Sequence, residues 1–161
     1  MPDTIGISED RLHHIIGVAR KAYTIALERG HDKEFAKKCF MLGWLHDVGY
    51  EFAETKEDHP KVSGRLLLLL QDESPVASDL KKPSIKAIME HGLYPTEKTE
   101  EWIILNQADM QIGPDGREMT ISERLEDIKN RFGEWSDTYL TACDIAYQCG
   151  LTVINLSGNE V

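Results

Sequence analysis

The stretch LGWLHDVGYEF (residues 42–52) decides the fold. With Phe35 and Cys39 before it, Leu42 and Leu45 put apolar side chains three or four residues apart, the stripe of an amphipathic helix rather than the alternation of a strand. Asp32 suits the N-cap of that helix and Gly49 its stop. His46 and Asp47, adjacent and both of metal-ligating type, are therefore expected in its last turn.

The same spacing runs outward in both directions. Ser8, followed by Glu9 and Asp10, caps a first helix over about residues 8–29 that Gly30 stops. Residues 50–58 are polar and irregular, and Pro60 suits the first turn of a third helix, with His59 at its entrance. That helix carries Val62 and the run Leu66–Leu70, which at five residues is far shorter than the ~20 that a membrane span needs and is expected in the core. A Ser-, Pro-, Asp- and Lys-rich stretch over 72–84 leads to a short helix near 84–91, with Ile85 and Ile88 on one face and His91-Gly92 closing it. Thr99 starts a helix through Ile103, Ile104 and Ala108 that brings Asp109 near its end, before the turn Gly113-Pro114-Asp115-Gly116. Thr120 with Glu123 forms a capping box for the next helix, and Ser136 caps a last one that Gly150 ends. Only LTVINL (151–156) is strand-like, too little for a sheet. The fold class expected is all-α: one single-domain bundle of about six to eight helices over residues 1–161, with no repeat or linker.

Composition narrows the function classes. The chain has 161 residues, 41% hydrophobic and 29% charged, which is ordinary for one domain with a real core. A formal net charge of -10 argues against nucleic acid and anionic membrane as partners, since both reward a basic surface. A small anion remains compatible, because a few cations beside a metal outweigh a distant acidic surface. Cys39, Cys143 and Cys149 lie in apolar helical patterns without a Cys-x-x-Cys pair and read as reduced core thiols of a cytoplasmic protein. The acidic N-terminus lacks the basic flank and apolar centre of a signal peptide.

Four of the six histidines, His14, His46, His59 and His91, fall on inner faces or helix ends, joined by Asp47 and Asp109. Imidazole and carboxylate together suit divalent Zn, Mn, Fe or Co, whereas a thiolate-rich set would signal structural zinc. Asp109 follows an apolar stretch and should face inward, where a metal would compensate its charge. His31, beside charged residues outside the first helix, reads as a solvated loop histidine.

The segments RLHHIIGVA (11–19), LGWLHDVGYEF (42–52), HPKVSGRLL (59–67), IKAIMEHG (85–92) and ILNQADM (104–110) resemble, in order, the motifs of the HD-domain metal-dependent phosphohydrolase superfamily, over roughly residues 8–133 with a C-terminal helix and tail at 136–161. The resemblance implies an HD-type helical fold, and a divalent metal (Fe, Mn, Zn, Co or Mg, one ion or two) on His14, His46, Asp47 and Asp109. It implies that His59 and His91 contact phosphate or hold a second metal. The family pattern places Arg three residues before the first ligand and Val four after it, which Arg11, His14 and Val18 satisfy; His14 also shares a face with Val18, Ala22 and Ile25. His13 is then the bystander. The chain is most similar to small stand-alone members and lacks the Gly-Tyr-Pro signature of the cyclic-dinucleotide branch, since Gly49-Tyr50 continues to Glu51.

The activity this implies is hydrolysis of a phosphomonoester, phosphoanhydride or phosphodiester of a nucleotide or similar small molecule, by attack of metal-activated water on phosphorus. Asp47 is the water-orienting base as well as a ligand. His59 and His91 grip phosphate or protonate the leaving oxygen. Lys61, Arg65 and Arg124 are the candidate phosphate cations, with Lys61 first, and Arg117 also follows the distal Asp. Two other readings stay open: a di-iron oxygenase of the same superfamily, for which four histidines and two aspartates are the right set, and a non-catalytic nucleotide-binding module. Trp102, Trp135 and Tyr139 serve either the core or an interface, so a homodimer stays open as well.

Overall fold

The computed structural model describes residues 7–71 and 81–151. Seven α-helices follow one another among them: α1 Glu9–Glu28, α2 Lys33–Leu45, α3 His59–Leu69, α4 Lys82–Met89, α5 Glu100–Asp109, α6 Ile121–Phe132 and α7 Asp137–Gln148. No strand occurs among the described residues beyond one isolated bridge, Ile112 to Glu118, which closes the turn after α5. The segment 152–156 of the strand-like tail lies outside the described residues. The all-α bundle expected from periodicity is the fold observed.

Local chemistry sets the helix starts. The side chains of Ser8, Asp32, Thr99, Thr120 and Ser136 each accept a hydrogen bond from a first-turn amide, and Thr120 with Glu123 completes the capping box. Gly30, Gly92 and Gly150 end α1, α4 and α7 at φ 87°, 70° and 74°.

α1 to α5 enclose one hydrophobic core built on Val18, Ala22, Ile25, Cys39, Leu42, Ile85, Ile88, Ile104, Leu105 and Ala108. A second cluster, around Trp102, Leu125, Ile145, Ala146 and Cys149, lies where α6 and α7 pack on the other side of α5. Close helix crossings in the first core need glycine. A methyl group on Gly43 would stand 2.6 Å from the Cα of Ala19, and one on Gly64 would overlap Met89.

Four sequence expectations need correction. α2 ends at Leu45, not at Gly49: His46 is the last residue in helical conformation, Asp47 turns away at φ -104° and ψ 6°, and Val48–Glu51 restarts as a 3-10 turn. Gly49 is required for proximity, since a Cβ there would meet the carbonyl oxygen of His59 and the nitrogen of Ser63 at 2.4 Å. The 50–58 connection is correspondingly less irregular than expected, with a second 3-10 turn at Lys56–Asp58. Leu66–Leu70 is not a core run. Five consecutive leucines wrap around a helix, and only Leu67 is buried, while Leu69 is 76% exposed. His31 is not simply solvated, because its Nε2 lies 2.8 Å from a Glu100 oxygen that Arg29 also engages, and its ring stacks on Phe35.

Candidate metal centre

Five elements bring six side chains to one point. α1 supplies His14, the break after α2 supplies His46 and Asp47, the start of α3 supplies His59, the turn after α4 supplies His91, and the last residue of α5 is Asp109. Asp47 lies at the centre. Its Oδ1 is 3.3 Å from His46 Nε2, 3.2 Å from His59 Nε2 and 3.5 Å from His91 Nε2, and its Oδ2 is 3.7 Å from His14 Nε2. Asp109 Oδ1 approaches His14 Nε2 at 3.0 Å and His46 Nε2 at 3.7 Å. His13, one residue from His14, faces solvent.

Each imidazole is held from behind by a main-chain carbonyl. Nδ1 of His14 donates to Gly113 at 2.9 Å, that of His46 to Gly43 at 2.7 Å, that of His91 to Ile88 at 2.6 Å, and that of His59 to Lys56. A ring that donates from Nδ1 turns Nε2 inward, so four Nε2 atoms, each a ligating lone pair once its proton is gone, converge beside two carboxylates. The backbone behind them is fixed in turn. Ser63 Oγ accepts from Gly49 at 2.8 Å, tying the Asp47 turn to α3, and Asn106 accepts from Gly92 at 2.8 Å, tying the His91 turn to α5.

Two observations test whether this set suits a metal ion. His46 Nε2 is buried with no hydrogen-bond partner, although a carboxylate oxygen lies 3.3 Å away. His59 Nε2 and His91 Nε2 face each other at 3.0 Å, where two lone pairs repel unless a proton or cation lies between them. A divalent cation would satisfy His46 Nε2, and two overlapping groups that share it, His14–His46–Asp109 and His46–Asp47–His91, could hold one.

The charges are arranged for the same end. Burial opposes ionisation of Asp47, yet His46, with bonds from His59 and His91, holds it well below the usual carboxylate range. Asp109, which burial also resists, is held low by the His14 imidazole at 3.0 Å and by His46 beside it. For His46, burial works against the charged form, but Asp47 and Asp109 outweigh it and raise the imidazole to about 9. His91 goes the other way, lowered by burial and then by the neighbouring histidines, against a bond to Asp47.

Two partners of the centre were not among the expected site residues. Arg11 Nη1 donates to Asp47 Oδ2 at 2.7 Å from a partly exposed position at the rim. Its guanidinium carbon lies 4.0 Å from the centroid of the Tyr50 ring, whose other neighbour is His59, stacked at 4.0 Å and 25°. In the sequence Arg11 served only as a register mark for His14, and Tyr50 had no periodicity to place it. Of the expected phosphate cations, Lys61 and Arg65 are exposed on α3, Lys61 about 160° around the helix from His59. Arg124 pairs with Asp127 one turn along α6 at 3.2 Å. None of the three forms a hydrogen bond or ion pair with the six central residues.

Among the described residues no helix is long and apolar enough to cross a membrane. Searches of curated proteins and of solved structures found no match to the chain. Residues 11–129 match the family model of the HD domain, a family that binds divalent metals and whose members are generally metal-dependent hydrolases. That span holds all six converging residues and covers more than half of the chain, so the protein belongs to the HD-domain family.

Proposed function

We propose that this protein is a phosphohydrolase that acts on a small phosphorylated molecule, of which a nucleotide is our first choice, with a divalent cation held by His14, His46, Asp47 and Asp109. The observation that carries this reading is the convergence of four imidazole Nε2 atoms, each ring locked through Nδ1, on two carboxylates kept ionised. When bound, the cation supplies Lewis acidity toward a phosphoryl group and acidifies water.

The protein's own groups do the rest. Asp47 orients water through its free carboxylate lone pairs. Arg11 is the cation at hand for phosphate: with one Nη on Asp47, its fork still offers donors in the geometry that phosphoryl oxygens accept, and the position at the rim lets substrate reach it. His59 and His91 sit at hydrogen-bond distance from one another, so a proton on Nε2 of either can pass to a leaving oxygen. His91 is fully enclosed and lowered, which suits a group that is neutral at rest. His59, on the outer side and stacked under Tyr50, is the better placed to meet a leaving group.

The test is a screen of phosphomonoesters, dinucleoside polyphosphates and phosphodiesters against protein loaded with Mn, Co, Fe or Mg. Release of orthophosphate or of a nucleotide product supports the reading and distinguishes its branches. No P–O cleavage with any metal overturns it, and two irons per chain with oxygen consumption moves the assignment to oxidation.

A further inference from the structure

Tyr50 lies outside every group of candidate ligands, yet it touches two residues of the centre at once. Its ring is layered between the Arg11 guanidinium, 4.0 Å from the centroid, and the His59 imidazole, 4.0 Å away and tilted by 25°. The ring is fixed from its own side by a short 3-10 turn, Val48–Glu51, in which the Tyr50 amide donates to the Asp47 carbonyl at 3.1 Å. The next residue toward the N-terminus, Gly49, is pressed against α3 so closely that no side chain fits. Neither neighbour of the ring is otherwise held on that face. Arg11 has a long flexible stem and one hydrogen bond to Asp47, and the partners of His59, Lys56 at Nδ1 and His91 and Asp47 at Nε2, meet the edge of its ring and leave the face to Tyr50.

We propose that Tyr50 is the positioning residue of this centre: its ring, by occupying the space between Arg11 and His59, sets the distance between the cation that grips phosphate and the imidazole that serves the leaving oxygen. Cation–π attraction on one face and ring stacking on the other hold both groups without a hydrogen bond that substrate would have to displace. An aliphatic side chain fills the same space but offers no electron-rich face to the guanidinium. The part played by Arg11 rests on the phosphohydrolase reading, whereas the ordering of His59 does not.

Tyr50→Phe and Tyr50→Leu separate the ring from its hydroxyl and from its bulk. Two measurements on each are needed: imidazole 15N–1H correlation spectra, which report whether His59 holds one ordered tautomer, and calorimetric titration of the metal-loaded protein with inorganic phosphate. The expected result is an ordered His59 signal in wild type and Tyr50→Phe, lost in Tyr50→Leu, with phosphate binding weakened about tenfold in Tyr50→Leu alone and metal content unchanged. A wild-type His59 signal in Tyr50→Leu overturns the proposal, as does a Tyr50→Phe protein as disordered as Tyr50→Leu. If His59 behaves as expected but wild-type protein binds no phosphate, the positioning role stands and the phosphohydrolase reading falls.

Discussion

The five helices around the metal centre and the α6–α7 hairpin are built by the same rules of capping and amphipathic spacing, but they are packed differently. In the first region the crossings are so close that glycine is needed at positions 43, 49 and 64, and two of these glycines adjoin the centre: Gly43 gives its carbonyl to His46, and Gly49 lies two residues from Asp47. In the hairpin α6 has only Leu125 buried, and the turn between the two helices leaves Trp135 82% exposed. None of the six converging side chains comes from the hairpin. Precision is thus concentrated where carbonyls must aim imidazoles, while the hairpin covers Trp102 and the outer side of α5 with ordinary apolar contact.

The largest effect should come from His46→Ala. It removes the one histidine common to both candidate ligand groups and takes a stabilising imidazole from both Asp47 and Asp109. Bound metal should fall to background and turnover by at least about 10³-fold, as read by elemental analysis and by assay of the same preparation. Turnover retained in a metal-free variant would break the assignment of the centre.

A pair of variants tests the contrast between the regions directly. Leu125→Ala in the hairpin should cost about 3 kcal/mol of unfolding free energy but leave metal affinity untouched. Gly43→Ala should cost at least as much, about 3 kcal/mol, because the methyl group meets the α1 backbone itself and the whole helix must move to admit it. It should also weaken metal binding, since the shift moves the carbonyl that aims His46. Denaturant melts and metal titrations on both proteins decide the matter. Equal metal affinity in Gly43→Ala would show that the close crossing serves stability alone.

Much of this was legible because it is periodic or local. The helices follow from apolar spacing, their ends from Ser, Thr, Asp and Gly, and His14 rather than His13 from the face shared with Val18 and Ala22. What was not legible depends on contacts between segments far apart in the chain. Gly49 has the appearance of a helix stop, and only the approach of α3, ten residues later, shows why nothing larger fits. The leucine run looked like core because hydrophobicity says nothing about how much of a helix its neighbours cover. Arg11 and Tyr50 meet across 39 residues through a 3-10 turn with no sequence period. Likewise, the pairing of His31 with Glu100 depends on where α5 begins in space.

Acidity offers the finest probe of the contrast, because the strongly coupled charges lie in one region. In metal-free protein His46 is raised to about 9 by Asp47 and Asp109 against the pull of burial, whereas the unfolded chain has an ordinary imidazole. The folded form therefore binds the extra proton more tightly. Its contribution to stability is fully present below about pH 6.5 and is lost as pH rises through about 9, at up to about 1.4 kcal/mol per unit. His91, lowered in the fold, is neutral there throughout the window, and its opposing contribution is confined to the foot of the window near pH 6.5, where the unfolded imidazole still holds a proton part of the time. A cation must displace the same proton from Nε2, so its apparent affinity should rise with pH by up to tenfold per unit toward pH 9, with about one proton released per ion bound. Metal titrations in buffers of different ionisation enthalpy measure that release, and urea melts of the metal-free protein at pH 6.5 and 8.5 measure the loss of stability. The Leu125→Ala protein should show the same slope from a lower starting point, because its hairpin contributes no group to the cluster. A slope that vanishes in Leu125→Ala would mean that loosening the hairpin already dismantles the charge cluster in the folded state, and the division of labour between the regions would have to be abandoned.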